Sequence, residues 1–261
     1  MKTMVKTELR QNRNILLVWL GLSLILTGFC YFEFLSLKDS LDEMARMMEQ
    51  FPRILLIMFG VKADLSTSLG WYSCLYFWMS ILSFAYAMYL GITCVAKEKK
   101  WHTAEYLFTK PVTRREIVLA KVIASGINLC VFSVFSGICS FVMVVLPAGG
   151  LEQRGAELLT YLGLFLTQLL FFATGLLIAS LFRQYRSAVK MGALAMLAFY
   201  AVAIAVQYLE LPALDFLSPL RYFDAYELIL HGFRLPYLLL TGVLLLAFVG
   251  IAVKRWQDQE L

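Results

Sequence analysis

The residues Lys97-Glu98-Lys99-Lys100-Trp101-His102-Thr103-Ala104-Glu105-Tyr106-Leu107-Phe108-Thr109-Lys110-Pro111-Val112-Thr113-Arg114-Arg115-Glu116-Ile117-Val118-Leu119-Ala120-Lys121 form the longest charged stretch of an otherwise apolar chain. Seven of them are Lys or Arg and three are Glu. Such a stretch cannot lie in hydrocarbon, yet uncharged runs long enough to cross a bilayer flank it on both sides. It is therefore a loop on one face of a membrane. Thr113, with Glu116 three residues on, makes a capping box ahead of Ile117-Val118-Leu119 and predicts a helix start. Pro111 disfavours helix at Lys110 and separates that start from an earlier short segment, roughly 99–108. A short amphipathic helix, a break and a capped return into the membrane suit docking on another protein.

Outward from this loop, the chain is 61% hydrophobic and only 16% charged, with a mean hydropathy of +0.74. Soluble domains are about half apolar and about a quarter charged, so an integral membrane protein is the class implied. Charge-free runs cover 15–32, 65–96, 122–151, 158–182, 191–209 and 235–253, each near or above the ~18–20 residues a crossing helix needs. The expectation is an all-α, six-span protein with one transmembrane domain over 1–261. The spans lie near 15–32, 71–96, 122–146, 158–182, 191–209 and 235–253. The surplus at 65–70 and 146–151, the latter with Pro147, Gly149 and Gly150, is interfacial or loop.

Lys and Arg set the orientation. Sixteen of the 23 fall on the termini, the 97–121 loop and the short inner turn 182–190, and seven fall on the other side. Both termini and the central loop are thus expected in the cytoplasm. The net charge of +5 is a topology signal and implies no nucleic-acid partner. The five cysteines all lie in apolar runs without metal-type spacing, so neither disulfides nor a metal cluster is expected. His102 and His231 are on opposite sides and cannot share a metal. The first apolar run is long and lacks a cleavage site, so it reads as a span and not as a signal peptide.

Three further segments carry patterns. Met1, Met4, Val5 and Leu9 form an apolar stripe with Lys2, Lys6, Arg10 and Arg13 mostly off it, which predicts a helix over 1–14 lying flat on the inner leaflet. In the outer segment 35–64, Ser40 and Glu43 form a second capping box, with Leu41, Met44, Ala45, Met48 and Phe51 at helical spacing until Pro52. An apolar hairpin-like stretch, 53–60, should follow, either capping the outer mouth of a pathway or packing on the span ends. Spans three and four contain Asn128, Ser133, Ser136, Gly137 and Ser140, and Gly163, Thr167, Gln168, Thr174 and Gly175. Small and hydroxylated residues let helices approach closely, and Asn128, Thr167 and Gln168 are the candidates for lining a route instead.

Over Thr103 to Lys121 the chain resembles the permease subunits of type 2 ABC exporters. There, a run like Thr-Ala-Glu-Tyr-Leu-Phe-Thr-Lys-Pro-Val-Thr-Arg-Arg-Glu and a helix ending in Ala-Lys join the second and third spans. The family commonly has Gly before the Thr, where this chain has His102. A second match is Leu217-Ser218-Pro219-Leu220-Arg221-Tyr222-Phe223-Asp224, similar to the family's Leu-Ser-Pro-x-x-Tyr-Phe outer loop. The resemblance implies an N-terminal interfacial helix and a cytoplasmic coupling helix. It assigns ATPase coupling to Glu98, Thr103, Glu105, Tyr106, Leu107, Phe108, Arg114 and Arg115, with a lesser contact at 182–190. It also implies separate ATPase subunits that carry ATP and Mg, a second permease subunit that is identical or different, and residence in a bacterial cytoplasmic membrane.

Absent chemistry narrows the alternatives. None of the six runs contains Asp, Glu, Lys, Arg or His, which disfavours an ion-coupled secondary carrier. There is no Gly-x-x-x-x-Gly-Lys-Ser/Thr, so energy must come from a separate ATPase and this chain binds no cofactor itself. There is no His-Glu-x-x-His or Gly-x-Ser-x-Gly, so no catalytic apparatus for hydrolysis is visible. Uncharged spans rich in Phe, Met and Leu suit a hydrophobic or amphipathic cargo, such as an antimicrobial or toxin peptide or a drug-like lipophile. Ion, lipid or glycan extrusion and a non-transporting anchor or sensor are the alternatives.

Overall fold

The computed structural model describes residues 1–37, 40–48, 50–61, 67–101, 114–145, 156–182 and 184–258. In chain order these form α1 (Lys2–Leu37), α2 (Leu41–Met48), α3 (Arg53–Met58), α4 (Ser68–Trp101) and α5 (Arg114–Ser140), which ends in a π turn, Phe141–Val145. Then come α6 (Ala156–Leu181), α7 (Tyr185–Tyr208), two 3-10 turns (Pro212–Leu217 and Pro219–Arg221), α8 (Ala225–His231) and α9 (Leu235–Asp258). Among the described residues there is no strand, and six helices (α1, α4, α5, α6, α7 and α9) are long and apolar enough to cross a membrane. Helices are the element that satisfies every backbone group without water, as a bilayer demands.

The centre of the bundle is the α4–α6 pair. In each, 67% of the apolar window is buried, against 11% in α1, α7 and α9. The two helices run parallel, with Phe84 stacked on Phe171 at 4.8 Å and the Tyr72 hydroxyl 2.6 Å from that of Thr160. Their closest approach is backbone to backbone. A Cβ on Gly91 would fall 2.2 Å from the Phe172 carbonyl oxygen, and one on Gly175 2.5 Å from that of Met88. Only residues without a side chain permit this contact, the usual device of membrane helices that lack a hydrophobic drive to associate. Around the pair, α9 packs on α6, α7 on α4 and α6, and α5 stands between α1 and the centre.

Three sequence expectations need correction. The 1–14 segment does not stand apart from the first span: α1 runs unbroken for 36 residues, about 54 Å at ~1.5 Å per residue. No Pro or Gly interrupts it before Gly21, and Met4 packs against the core. The 53–60 stretch is a short helix, α3, and not a hairpin. Pro52 precedes its first turn with φ −55°, a position where its missing N–H costs nothing. The inner turn expected over 182–190 shrinks to the three residues between α6 and α7, because Tyr185 already begins a helix.

α3 is anchored at its end. The Tyr200 hydroxyl donates to the Met58 carbonyl at 2.6 Å, and Arg53 pairs with Glu210 at 2.6 Å. Gly60, at φ +78°, sits so close to Phe77 that a Cβ would meet its ring at 2.4 Å. The 217–224 motif is likewise structural. Ser218 donates to the Phe199 carbonyl at 2.9 Å, and Tyr222 donates to that of Phe216 at 2.5 Å. The Phe223 carbonyl accepts from Tyr76 at 3.0 Å, and Asp224 caps α8 by accepting from the Tyr226 N–H at 3.2 Å.

Candidate functional site

α4 ends at Trp101 and α5 opens at Arg114, directly after Thr113. The ends of these two helices therefore frame the charged loop. Of the residues assigned to coupling, Glu98 lies in the last turn of α4, and Arg114 and Arg115 lie in the first turn of α5. Thr103, Glu105, Tyr106, Leu107 and Phe108 lie outside the described residues. Lys99 to Trp101, read as the start of a separate short helix, continue α4 instead.

The first turns of α5 are deeply packed. Ile117, Val118 and Ala120 are each 1% exposed. Lys121 is buried as well, with its side chain 4% exposed, and its Nζ lies 2.7 Å from Oε1 of Glu8, whose side chain is 17% exposed. A buried charge is tolerated when a partner of opposite sign is hydrogen-bonded to it, and removing one partner strands the other. Glu8 escaped the sequence reading. The signal was present, since Glu8 is the only acidic residue in 1–14 and Lys121 the last charge before a long uncharged run.

The contact between α1 and α5 continues inward as a polar seam. The hydroxyls of Ser23 and Ser136 are 2.8 Å apart, and Thr27 donates to the Ser23 carbonyl at 2.8 Å while lying 3.5 Å from the sulfur of Met79. Asn12 on α1 and Ser125 and Asn128 on α5 are also buried. Glu8–Lys121 and Ser23–Ser136 share one sequence offset, 113 residues. The two helices therefore run parallel in constant register over about 22 Å.

The three route candidates lie inside the subunit. Asn128, Thr167 and Gln168 are all buried. Thr167 donates to the Gly163 carbonyl at 3.1 Å, the i−4 bond that satisfies a hydroxyl within its own helix. Ser133 donates to the Gln168 side-chain oxygen at 2.6 Å, while the amide nitrogens of Gln168 and Asn128 have no hydrogen-bond partner. Ser133 also lines an open groove of about 560 Å³ between α5 and α6, walled by Cys130, Gly137, Phe141, Tyr161 and Phe165 among others. That groove is almost wholly apolar, so it favours aliphatic or aromatic surface over an ion. A second, tighter pocket of about 40 Å³ lies under the 217–224 segment, between Ser73, Tyr76, Gln207, Arg221 and Asp224.

Arg221 holds the floor of the outer segment by donating to Asp215 at 2.9 Å and to Gln207 at 3.1 Å. Among the described residues, no three of His, Cys, Asp and Glu converge as a metal site would require. A family model described as "ABC-2 family transporter protein" matches residues 3–253. No curated protein matches the chain.

Proposed function

The chain belongs to the ABC-2 transporter family and is a multi-pass membrane subunit of an ABC transporter; we propose that it is the permease of an exporter driven by a separate ATPase subunit. The observation that carries this reading is the family match over 3–253 together with the charged segment between α4 and α5. In the proposal that segment faces the cytoplasm. Leu107 and Phe108 supply buried apolar area in a groove of the ATPase, and Tyr106 packs beside them. Glu98, Thr103, Glu105, Arg114 and Arg115 make the polar contacts around that core, the arrangement of a protein interface with a few dominant anchors. ATP and Mg²⁺ act on the partner, and this chain turns the partner's closure into helix movement.

A six-span subunit without internal repeats supplies half of such a machine, so a second permease subunit completes the route. The cargo is an amphipathic peptide or a drug-like lipophile. The uncharged spans and the apolar α5–α6 groove support this reading, since neither offers a fixed charge to an ion. Reconstitution with the copurifying ATPase tests the reading. Hydrolysis should rise several-fold with an amphipathic cationic peptide at low concentration and stay flat with sodium. A response to sodium alone would assign ion extrusion instead.

A further inference from the structure

α1 is fastened to α5 at two levels without slip. The Glu8–Lys121 pair lies two turns into the helix that follows the charged loop, and Ser23–Ser136 lies four turns deeper, at the same offset of 113 residues. Two parallel helices tied at both ends of a 22 Å seam cannot slide past each other by even one ~1.5 Å residue rise without losing hydrogen bonds of this length. Elsewhere α1 is held lightly. It meets α4 through Trp19 on Tyr86 at 5.3 Å, Thr27 at Met79 and Phe34 on Trp71 at 5.7 Å, a sparser contact than the one it makes with α5. When α5 moves, α1 is bound more firmly to α5 than to the bundle centre.

We propose that the Glu8–Lys121 ion pair makes α1 and α5 one mechanical unit, so that displacement of the segment between α4 and α5 is carried to the N-terminal helix as well as to α5. Glu8 and Lys121 are then positioning residues for coupling. The inference rests on the reading of that loop as the ATPase-docking element. An ion pair suits this place better than an apolar contact because it sits where side-chain oxygen and nitrogen are shielded from water, so the attraction is strong and directional.

The test uses the permease in complex with its copurifying ATPase, with the five native cysteines replaced by alanine. Cysteines at 27 and 79 report α1 against α4 through their rate of cross-linking by a short bifunctional thiol reagent. A separate cysteine at 108 reports the loop itself. Trapping with ATP, Mg²⁺ and vanadate should change the 27–79 rate at least threefold. The change should vanish in Glu8→Gln, in Lys121→Met and in the double apolar variant E8M/K121M, which strands no charge. It should return in the charge swap E8K/K121E, a rescue that a merely structural role does not produce. A response retained in E8M/K121M overturns the inference, as does a swap that folds but stays silent. If residue 108 becomes protected on trapping while the 27–79 rate stays constant, this inference fails alone; if neither reporter responds, the coupling reading fails with it.

Discussion

Gly91 and Gly175 face each other across the α4–α6 contact, each occupying the space where a side chain on the other would have to go: the Cβ positions would fall 2.2 Å and 2.5 Å from the carbonyl oxygens of Phe172 and Met88. The opposing atoms are backbone, so neither can swing aside. Gly91→Ala and Gly175→Ala should each lower stability by about 3 kcal/mol or more, at the upper end of overpacking costs. Gly21→Ala and Gly242→Ala, with nothing within 4 Å, should be neutral. Thermal unfolding in nanodiscs, with all four variants side by side, checks this.

Tyr76 joins the bundle centre to the outer loop, with its hydroxyl 3.0 Å from the Phe223 carbonyl and 3.2 Å from that of Thr160. Tyr76→Phe should cost roughly 1–3 kcal/mol by leaving buried acceptors without their donor. Hydrogen exchange of the 217–231 amides should rise in that variant while that of α5 amides stays the same.

Tyr222 gives a pH signature. Burial, and then the phenol of Tyr237 stacked on it, push its hydroxyl from 10.0 up to about 12. The folded state therefore holds this proton more tightly than the unfolded chain does. The stability it contributes is complete below pH ~10 and is lost as pH rises towards ~12. The thermal midpoint of Tyr222→Phe should fall less steeply than that of the parent protein over that window. Identical slopes would remove Tyr222 from the account.

The fold was legible because the bilayer imposes it. Charge-free length marks the crossing segments, and six such segments are present as helices. Charge-free length does not mark where a helix begins: the Thr113/Glu116 pattern placed the start of α5 next to Arg114, whereas nothing comparable marked Tyr185, where α7 starts six residues before its uncharged run. The same limit hid the continuity of α1: four basic residues argued for a surface helix, yet helical hydrogen bonding is indifferent to charge, and Glu8 finds its partner, Lys121, 113 residues away. Gly175 stood out beside its hydroxylated neighbours, whereas Gly91 did not, since a close approach is a property of two helices and only one at a time is visible in sequence.

Sidedness is tested by labelling. In a protein whose five cysteines are replaced by alanine, a cysteine at 150 should react with an impermeant thiol reagent from outside intact cells, and one at 100 only after permeabilisation. The excess of Lys and Arg around 97–121 dictates that order. Reversed labelling would put the charged loop outside and exclude an ATPase contact there.

In the proposed function the segment between α4 and α5 transmits ATP-driven work to this membrane subunit, and one double substitution tests that role. Leu107→Ala with Phe108→Ala removes the apolar anchors of the proposed docking segment and touches none of the six candidate spans, so insertion and thermal stability should be unchanged. Affinity-tagged permease carrying both changes should retain at least tenfold less ATPase subunit than the parent, or hold it without peptide-stimulated hydrolysis. Parental retention together with parental stimulation would contradict the account.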